Sequence, residues 1–328
     1  VQDIHTGWCE ALRELGQHVI EYNLDDRLTF FSAMLRESDR EGVFRRALTA
    51  EQAYELAADG LHSTLYKAWP DVLLVISGFF IPADLLVRAR RTRTRVVIVH
   101  TESPYEDDRQ LKLAPFADVN LINDPINLER FAALATTRYV PHAYRPSVHH
   151  PGPGKPELAT DLAFVGTGFP SRIDFFERMD LSDVDVTLGG NWNLLSEESP
   201  LYPFIGHDLD ECVDNADAAD VYRSAKLGIN LYRREAERPE LSAGWSMGPR
   251  EVEMAACGLP FLRDPRGEGD EILDMLPTFD SPEAATDVLR WLLSHEDERA
   301  RIAAKARAAV ADRTFRNNAA GLLRLLDP

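Results

Sequence analysis

The sequence predicts an α/β protein built from two Rossmann-like, doubly wound parallel-sheet domains that face each other across a cleft. Three observations lead there. Short apolar runs of strand length alternate with amphipathic stretches, the pattern of buried parallel strands joined by helical crossovers. The alternation breaks once, at 141–156, where His149-His150-Pro151-Gly152-Pro153-Gly154-Lys155-Pro156 holds too much Pro and Gly for a regular element. It then restarts, and 328 residues suit two domains better than one. The expected division is 1–150 and 151–328, with the last helix placed to pack back on the first domain.

In the first half, 4–16 has helical periodicity, with Trp8, Leu12 and Leu15 along one side. Residues 18–23 are short and β-rich, and 28–69 is polar and long enough for two or more helices. A nearly continuous apolar strand at 72–78 follows, then a helix at 83–93, strands at 95–101 and 119–122, and a helix at 126–134. In the second half, strands at 161–165, 184–188, 227–232 and 259–262 alternate with helices at 171–179, 218–225 and 249–257. From 282 onward the chain is helical, rich in Ala, Arg and Leu. Ligands of such sheets sit beyond the carboxyl ends of the strands, so chemistry is expected in the loops there.

A net charge of −18 repels phosphate backbones and argues against a nucleic-acid partner. The dense basic cluster, 88–95, reads as an exposed helix end and turn before a strand. No apolar run reaches 18 residues, so no membrane span is expected. Cys9, Cys212 and Cys257 are odd in number and in no metal spacing, which fits a reducing cytoplasm.

The most informative segment is Gly248-Pro249-Arg250-Glu251-Val252-Glu253-Met254-Ala255-Ala256-Cys257-Gly258-Leu259-Pro260. It reads as a loop, a short helix and a Gly-Pro stop. Arg250 and Glu253 lie three apart and share one face of the first turn, either as a surface pair or as ligands. A guanidinium at a helix N-terminus suits phosphates, and a carboxylate beside it suits ribose hydroxyls. A second loop, Phe164-Val165-Gly166-Thr167-Gly168-Phe169-Pro170-Ser171-Arg172, places a Gly-x-Gly turn between strand and helix. Glycines there let backbone N–H groups approach a phosphate, and Arg172 in the first helical turn reaches the same anion.

These two segments resemble the nucleotide-sugar-binding elements of GT-B glycosyltransferases of the group 1 type. The spacing Arg250-x-x-Glu253-x-x-Ala256-x-Gly258 and the pattern Phe164-x-Gly166…Arg172 are similar to the spore-maturation-protein (CgeB)-like branch. Many GT-B enzymes carry a second Glu eight positions before Glu253, and here that position is Trp245, so the sugar contacts of that Glu have no counterpart. The resemblance implies a strand ahead of the loop-like residues 1–8. It implies a diphosphate clamped by Arg172 and Arg250, with Gly166, Thr167, Gly168, Asn191, Trp192 and Glu253 around the nucleotide. Trp192 either stacks on the base or caps the core. His100 and Glu102, at the carboxyl end of a buried first-domain strand, are placed to bind the transferred sugar or take the acceptor's proton.

The function expected is metal-independent transfer of a sugar from a nucleotide-diphosphate donor, UDP- or GDP-linked, to a protein, glycan or small-molecule acceptor. No other cofactor is expected. The Asp-x-Asp pairs at 183–185 and 208–210 stand in strand and loop contexts that do not suit metal chelation. A nucleotide-sugar 2-epimerase of the same fold and a non-catalytic nucleotide- or sugar-binding scaffold remain as alternatives.

Overall fold

A computed structural model describes residues 2–41 and 49–327. The first domain comprises α1 (Gln2–Glu14), α2 (Leu24–Glu41), α3 (Ala50–Ala68), β1 (Val72–Ile76), α4 (Ala83–Arg91), β2 (Arg95–His100), α5 (Asp107–Gln110), β3 (Val119–Ile122), α6 (Leu128–Ala132) and β4 (Thr136–Tyr139). The second comprises β5 (Thr160–Val165), α7 (Pro170–Arg178), β6 (Val186–Gly189), α8 (Asn215–Ser224), β7 (Ala225–Asn230), α9 (Pro249–Cys257), β8 (Phe261–Arg263), α10 (Gly267–Ile272), α11 (Pro282–Ser294) and α12 (Glu296–Ala309). A final helix, α13 (Phe315–Leu326), closes the chain.

Each domain holds a four-stranded parallel sheet. The first runs β1-β2-β3-β4, in chain order among the described strands. Its β2 side chains alternate: Val96 and Ile98 pack toward α4, whereas Val97 and Val99 join Trp8 and Ala11 of α1. Phe315, Ala319 and Leu322 of α13 share that second cluster, so the end of the chain covers a face of the first sheet. The second sheet runs β6-β5-β7-β8 and carries the larger core, centred on Phe164, Phe176 and Trp192.

Residues 18–23 do not form a strand: they are an irregular connector without a sheet partner among the described residues, pinned where Tyr22 Oη donates to Ala57 O at 2.6 Å. The stretch 28–69 holds α2 and α3, with 42–48 outside the described residues. Strand β4, at 136–139, was hidden by its polar edge sequence Thr-Thr-Arg-Tyr. The basic cluster at 88–95 is tied down locally, Arg88 to Asp84 at 3.1 Å and Arg90 to Asp118 at 2.9 Å.

The β7–α9 loop is clasped by the first domain. Asp124 Oδ2, just past β3, accepts from the backbone N–H groups of Trp245 and Ser246 at 2.7 and 2.8 Å. Arg238 meets Asp108 at 2.6 Å, and Glu237 N donates to Tyr105 O at 3.1 Å. Glu268 of α10, almost fully buried, accepts from Tyr139 Oη and Arg313, each at 2.7 Å. These bonds hold the carboxyl ends of both sheets together.

Candidate functional site

In the second sheet, β5 leads through α7 to β6 on one side, and the chain then returns through α8 to β7 on the other. Connections that diverge in this way open a crevice beyond the strand ends. Arg250, in the first turn of α9, spans that crevice. Its Nε donates to the carbonyl of Val165, the last residue of β5, at 2.6 Å, and its Nη1 to Asn230 Oδ1, at the end of β7, at 2.8 Å.

Arg172 approaches from α7. Its Nε donates to Leu231 O at 3.0 Å and its Nη1 to Thr167 O at 2.9 Å. Burial and the neighbouring charge of Arg250 hold the Arg172 guanidinium well below its ordinary value. The two cations flank one ring: Cζ of Arg250 is 4.3 Å and Cζ of Arg172 5.3 Å from the centroid of Phe164.

The series continues across the cleft. Arg172 lies 5.2 Å and Arg233 5.5 Å from the Phe169 ring, and Arg233 lies 4.3 Å from the Tyr105 ring. Arg266 is 5.6 Å from Tyr105 and 3.8 Å from Tyr232. Four guanidiniums thus alternate with four aromatic rings, each ring attracting cations on its faces. Among the described residues only Arg233 of the four makes an ion pair, with Glu102 at 3.3 Å and Glu106 at 3.9 Å. In a chain of net charge −18, guanidiniums left without a carboxylate mark a place for an anion.

The Gly-x-Gly turn contributes space more than hydrogen-bond donors, which corrects the reading of Gly166 and Gly168 as a phosphate cradle. Gly166 N donates to Gly189 O at 2.9 Å and Gly168 N to Asn191 O at 2.8 Å, so neither amide is free. A Cβ on Gly166 would lie 2.0 Å from Arg250 Nη2, and one on Gly168 would lie 2.4 Å from the Trp192 ring. Thr167 serves through its carbonyl, which accepts from Arg172. The N-terminus of α7 already holds an anion, since Glu235 accepts from Ser171 N at 2.9 Å and from Ser171 Oγ at 3.0 Å.

Trp192 is fully buried, packs on Phe164 and Phe176, and donates from Nε1 to Gly189 O at 3.1 Å. It caps the core and does not stack on a base. Asn191 spends its side chain within its own loop, donating to Asp210 O at 3.0 Å and accepting from Asn193 N at 3.2 Å. Glu253 is buried on α9, where Asn215 Nδ2 donates to it at 3.3 Å and burial pushes its carboxyl up. It lines an interdomain crevice with Asp3, Asn123, His142 and Pro249.

His100 departs from its expected role. It is fully buried, its Nε2 lies 2.8 Å from Asn120 Oδ1, and its ring packs on Phe131 with centroids 4.9 Å apart. Burial pushes its pKa down to about 4, so it is a neutral core histidine. Glu102 does face the second domain, paired with Arg233. His5, Cys9 and Glu21 form a separate cluster of metal-ligand types, with ligand atoms within 4.8 Å of one another, where Glu21 is already paired with Arg13.

The sequence reading missed Tyr105, Phe169, Arg233, Arg266 and Tyr232. They come from separate segments of the two domains, and only the adjacent pair Tyr232-Arg233 carries a local signal in the sequence.

Residues 172–324 match the family model described as glycosyl transferase-like. No curated protein matches the sequence. Among solved structures, the trehalose-6-phosphate synthase OtsA superposes with a TM-score of 0.61 at 12% identity, over 94% of this chain and 84% of that one. A trehalose-6-phosphate structure from E. coli bound with UDP-2-fluoro glucose gives 0.59 at 11% identity, over 94% and 85%. A UDP-forming α,α-trehalose-phosphate synthase from Burkholderia vietnamiensis gives 0.57 at 12% identity, over 92% and 85%. Among the described residues no helix is long and apolar enough to cross a membrane. The second domain is thus similar to a glycosyl transferase-like family over residues 172–324, and the two parallel-sheet domains have the GT-B fold.

Proposed function

We propose that the protein is a metal-independent glycosyltransferase of the spore-maturation-type branch, acting in the cytoplasm. It moves a sugar from a nucleotide-diphosphate donor to an acceptor bound by the first domain. One observation carries this reading: Arg172 and Arg250 meet at the strand-order reversal with no carboxylate partner among the described residues. Their charges offset the negative charge that grows on the departing diphosphate, the task a divalent cation performs elsewhere. Glu253, three residues after Arg250, accepts from the ribose hydroxyls. A fold neighbour is bound with UDP-2-fluoro glucose, which supports a UDP-linked donor over a GDP-linked one. Closure of the domains over the donor excludes water and favours transfer over hydrolysis.

The test is a thermal-shift screen against UDP, GDP and their sugars, followed by assay of nucleoside diphosphate release with and without acceptors. A ligand that binds only the folded state raises the melting temperature. Release that depends on an acceptor supports transfer, and release without one, together with an epimerised sugar, points to the 2-epimerase. No shift with any of these ligands overturns the reading.

A further inference from the structure

Tyr105 belongs to the turn between β2 and α5, in the domain that does not carry the arginine pair. Its backbone carbonyl is held by Glu237 N at 3.1 Å, so the turn is fixed against the β7–α9 loop. Its ring has Arg233 at 4.3 Å and Arg266 at 5.6 Å, which places it inside the guanidinium series rather than at the rim. The hydroxyl makes no hydrogen bond to another described residue, whereas the next side-chain donors along the chain on either side, Ser103 and Arg109, are both engaged. A half-buried phenol among cations, with its proton uncommitted, is a donor waiting for an anionic acceptor. A diphosphate has more oxygen lone pairs than two guanidiniums can fill.

We infer that Tyr105 is a substrate-contacting residue of the donor site: its hydroxyl donates a hydrogen bond to a diphosphate oxygen, supplying the first domain's contact to the leaving group. No covalent bond to Tyr105 forms or breaks. The diphosphate site is complete only when the first domain stands against the second, so the correct domain arrangement is read directly at the leaving group. This rests on the donor-site reading above.

The test is calorimetry on the full chain with UDP, GDP and inorganic pyrophosphate, comparing wild type with Tyr105→Phe and Arg172→Ala. Phe keeps the ring between Arg233 and Arg266, so the melting temperature should hold. Loss of one hydrogen bond to a charged group should weaken the nucleoside diphosphate and pyrophosphate roughly tenfold or more. The corresponding nucleoside should bind both proteins alike. Unchanged diphosphate binding in Tyr105→Phe, with Arg172→Ala weakened, overturns the inference and leaves the donor site standing. Equal weakening of nucleoside and diphosphate also overturns it, because the effect then lies at the base. Failure of the wild type to bind any of the three overturns both readings.

Discussion

Arg250 Nη1 donates to Asn230 Oδ1 at 2.8 Å, which ties the start of α9 to the end of β7. Asn230 is almost fully buried, and its Nδ2 has no partner among the described residues. A neutral amide therefore orients the guanidinium without neutralising it. Asn230→Asp should convert this contact into an ion pair and remove the site's spare positive charge. Diphosphate affinity should fall at least about tenfold while the melting temperature holds or rises. Calorimetry beside thermal denaturation reads both, and unchanged affinity would show that Arg250 does not meet the anion.

Arg172 and Arg250 should act as one unit. Arg250→Ala should lower the transfer rate more than it weakens binding of the bare nucleoside, because charge on the leaving phosphate peaks in the transition state. Lys at either position should rescue only in part, since an ammonium cannot make the bidentate contact. The double Ala variant should cost less than the two single losses together, as expected for groups that share one Phe164 ring and one ligand. Strict additivity in single-turnover kinetics would separate them.

The parallel strands were legible because strands covered on both faces read as continuous apolar runs, as in 95–100, where all but Arg95 is buried. β4 escaped because an edge strand has no such requirement, and 18–23 misled because β-rich residues still need a partner edge. Arg172 and Arg250 could be named because each opens a helix after a glycine-containing loop. His100 misled for a different reason. A strand end fixes where a Cα lies, but the alternation of side chains put this imidazole on the Ile98 side, beside Asn120 and Phe131. The ring-and-guanidinium series was not legible, since it exists only after loops from two domains converge.

Gly168 should be intolerant of any side chain. The Trp192 ring lies 2.4 Å from where its Cβ would sit, and that ring is locked by Phe164, Phe176 and the Gly189 carbonyl. Gly168→Ala should cost roughly 1–3 kcal/mol through overpacking. Gly206→Ala, with nothing within 4 Å of the added carbon, should be near neutral and serves as the control. Equal melting temperatures for the two variants would refute the packing role.

His100 should make stability depend on acidity. Burial depresses its folded pKa from an ordinary 6.5 to about 4, so the unfolded chain takes up the proton first. Stability from this group is full above about pH 6.5 and is lost as pH falls toward about 4. His142, also depressed to about 4 by burial, acts in the same direction. Replacing His100 with Gln should reduce proton uptake on unfolding in that window by about one. Urea denaturation at a series of pH values measures it, and an unchanged slope would show that His100 is reached by water.

Glu253 is the residue on which the nucleoside reading turns. It is buried, accepts from Asn215 at 3.3 Å, and lines a crevice shared with Asp3 and Asn123 of the other domain. A carboxylate held there at a desolvation cost gains most from a ligand that brings two hydroxyl donors. Glu253→Gln should weaken a nucleoside diphosphate by roughly 1.5–3 kcal/mol if one charge-assisted bond is lost, and leave inorganic pyrophosphate untouched. The sugar supplies the second arm of the cycle. Removing both ribose hydroxyls from the nucleotide should cost the wild type about as much and should cost the Gln variant little, because the two losses remove the same contact. If the dideoxy nucleotide discriminates equally in both proteins, the ribose is read elsewhere and Glu253 only braces α9 against Asn215.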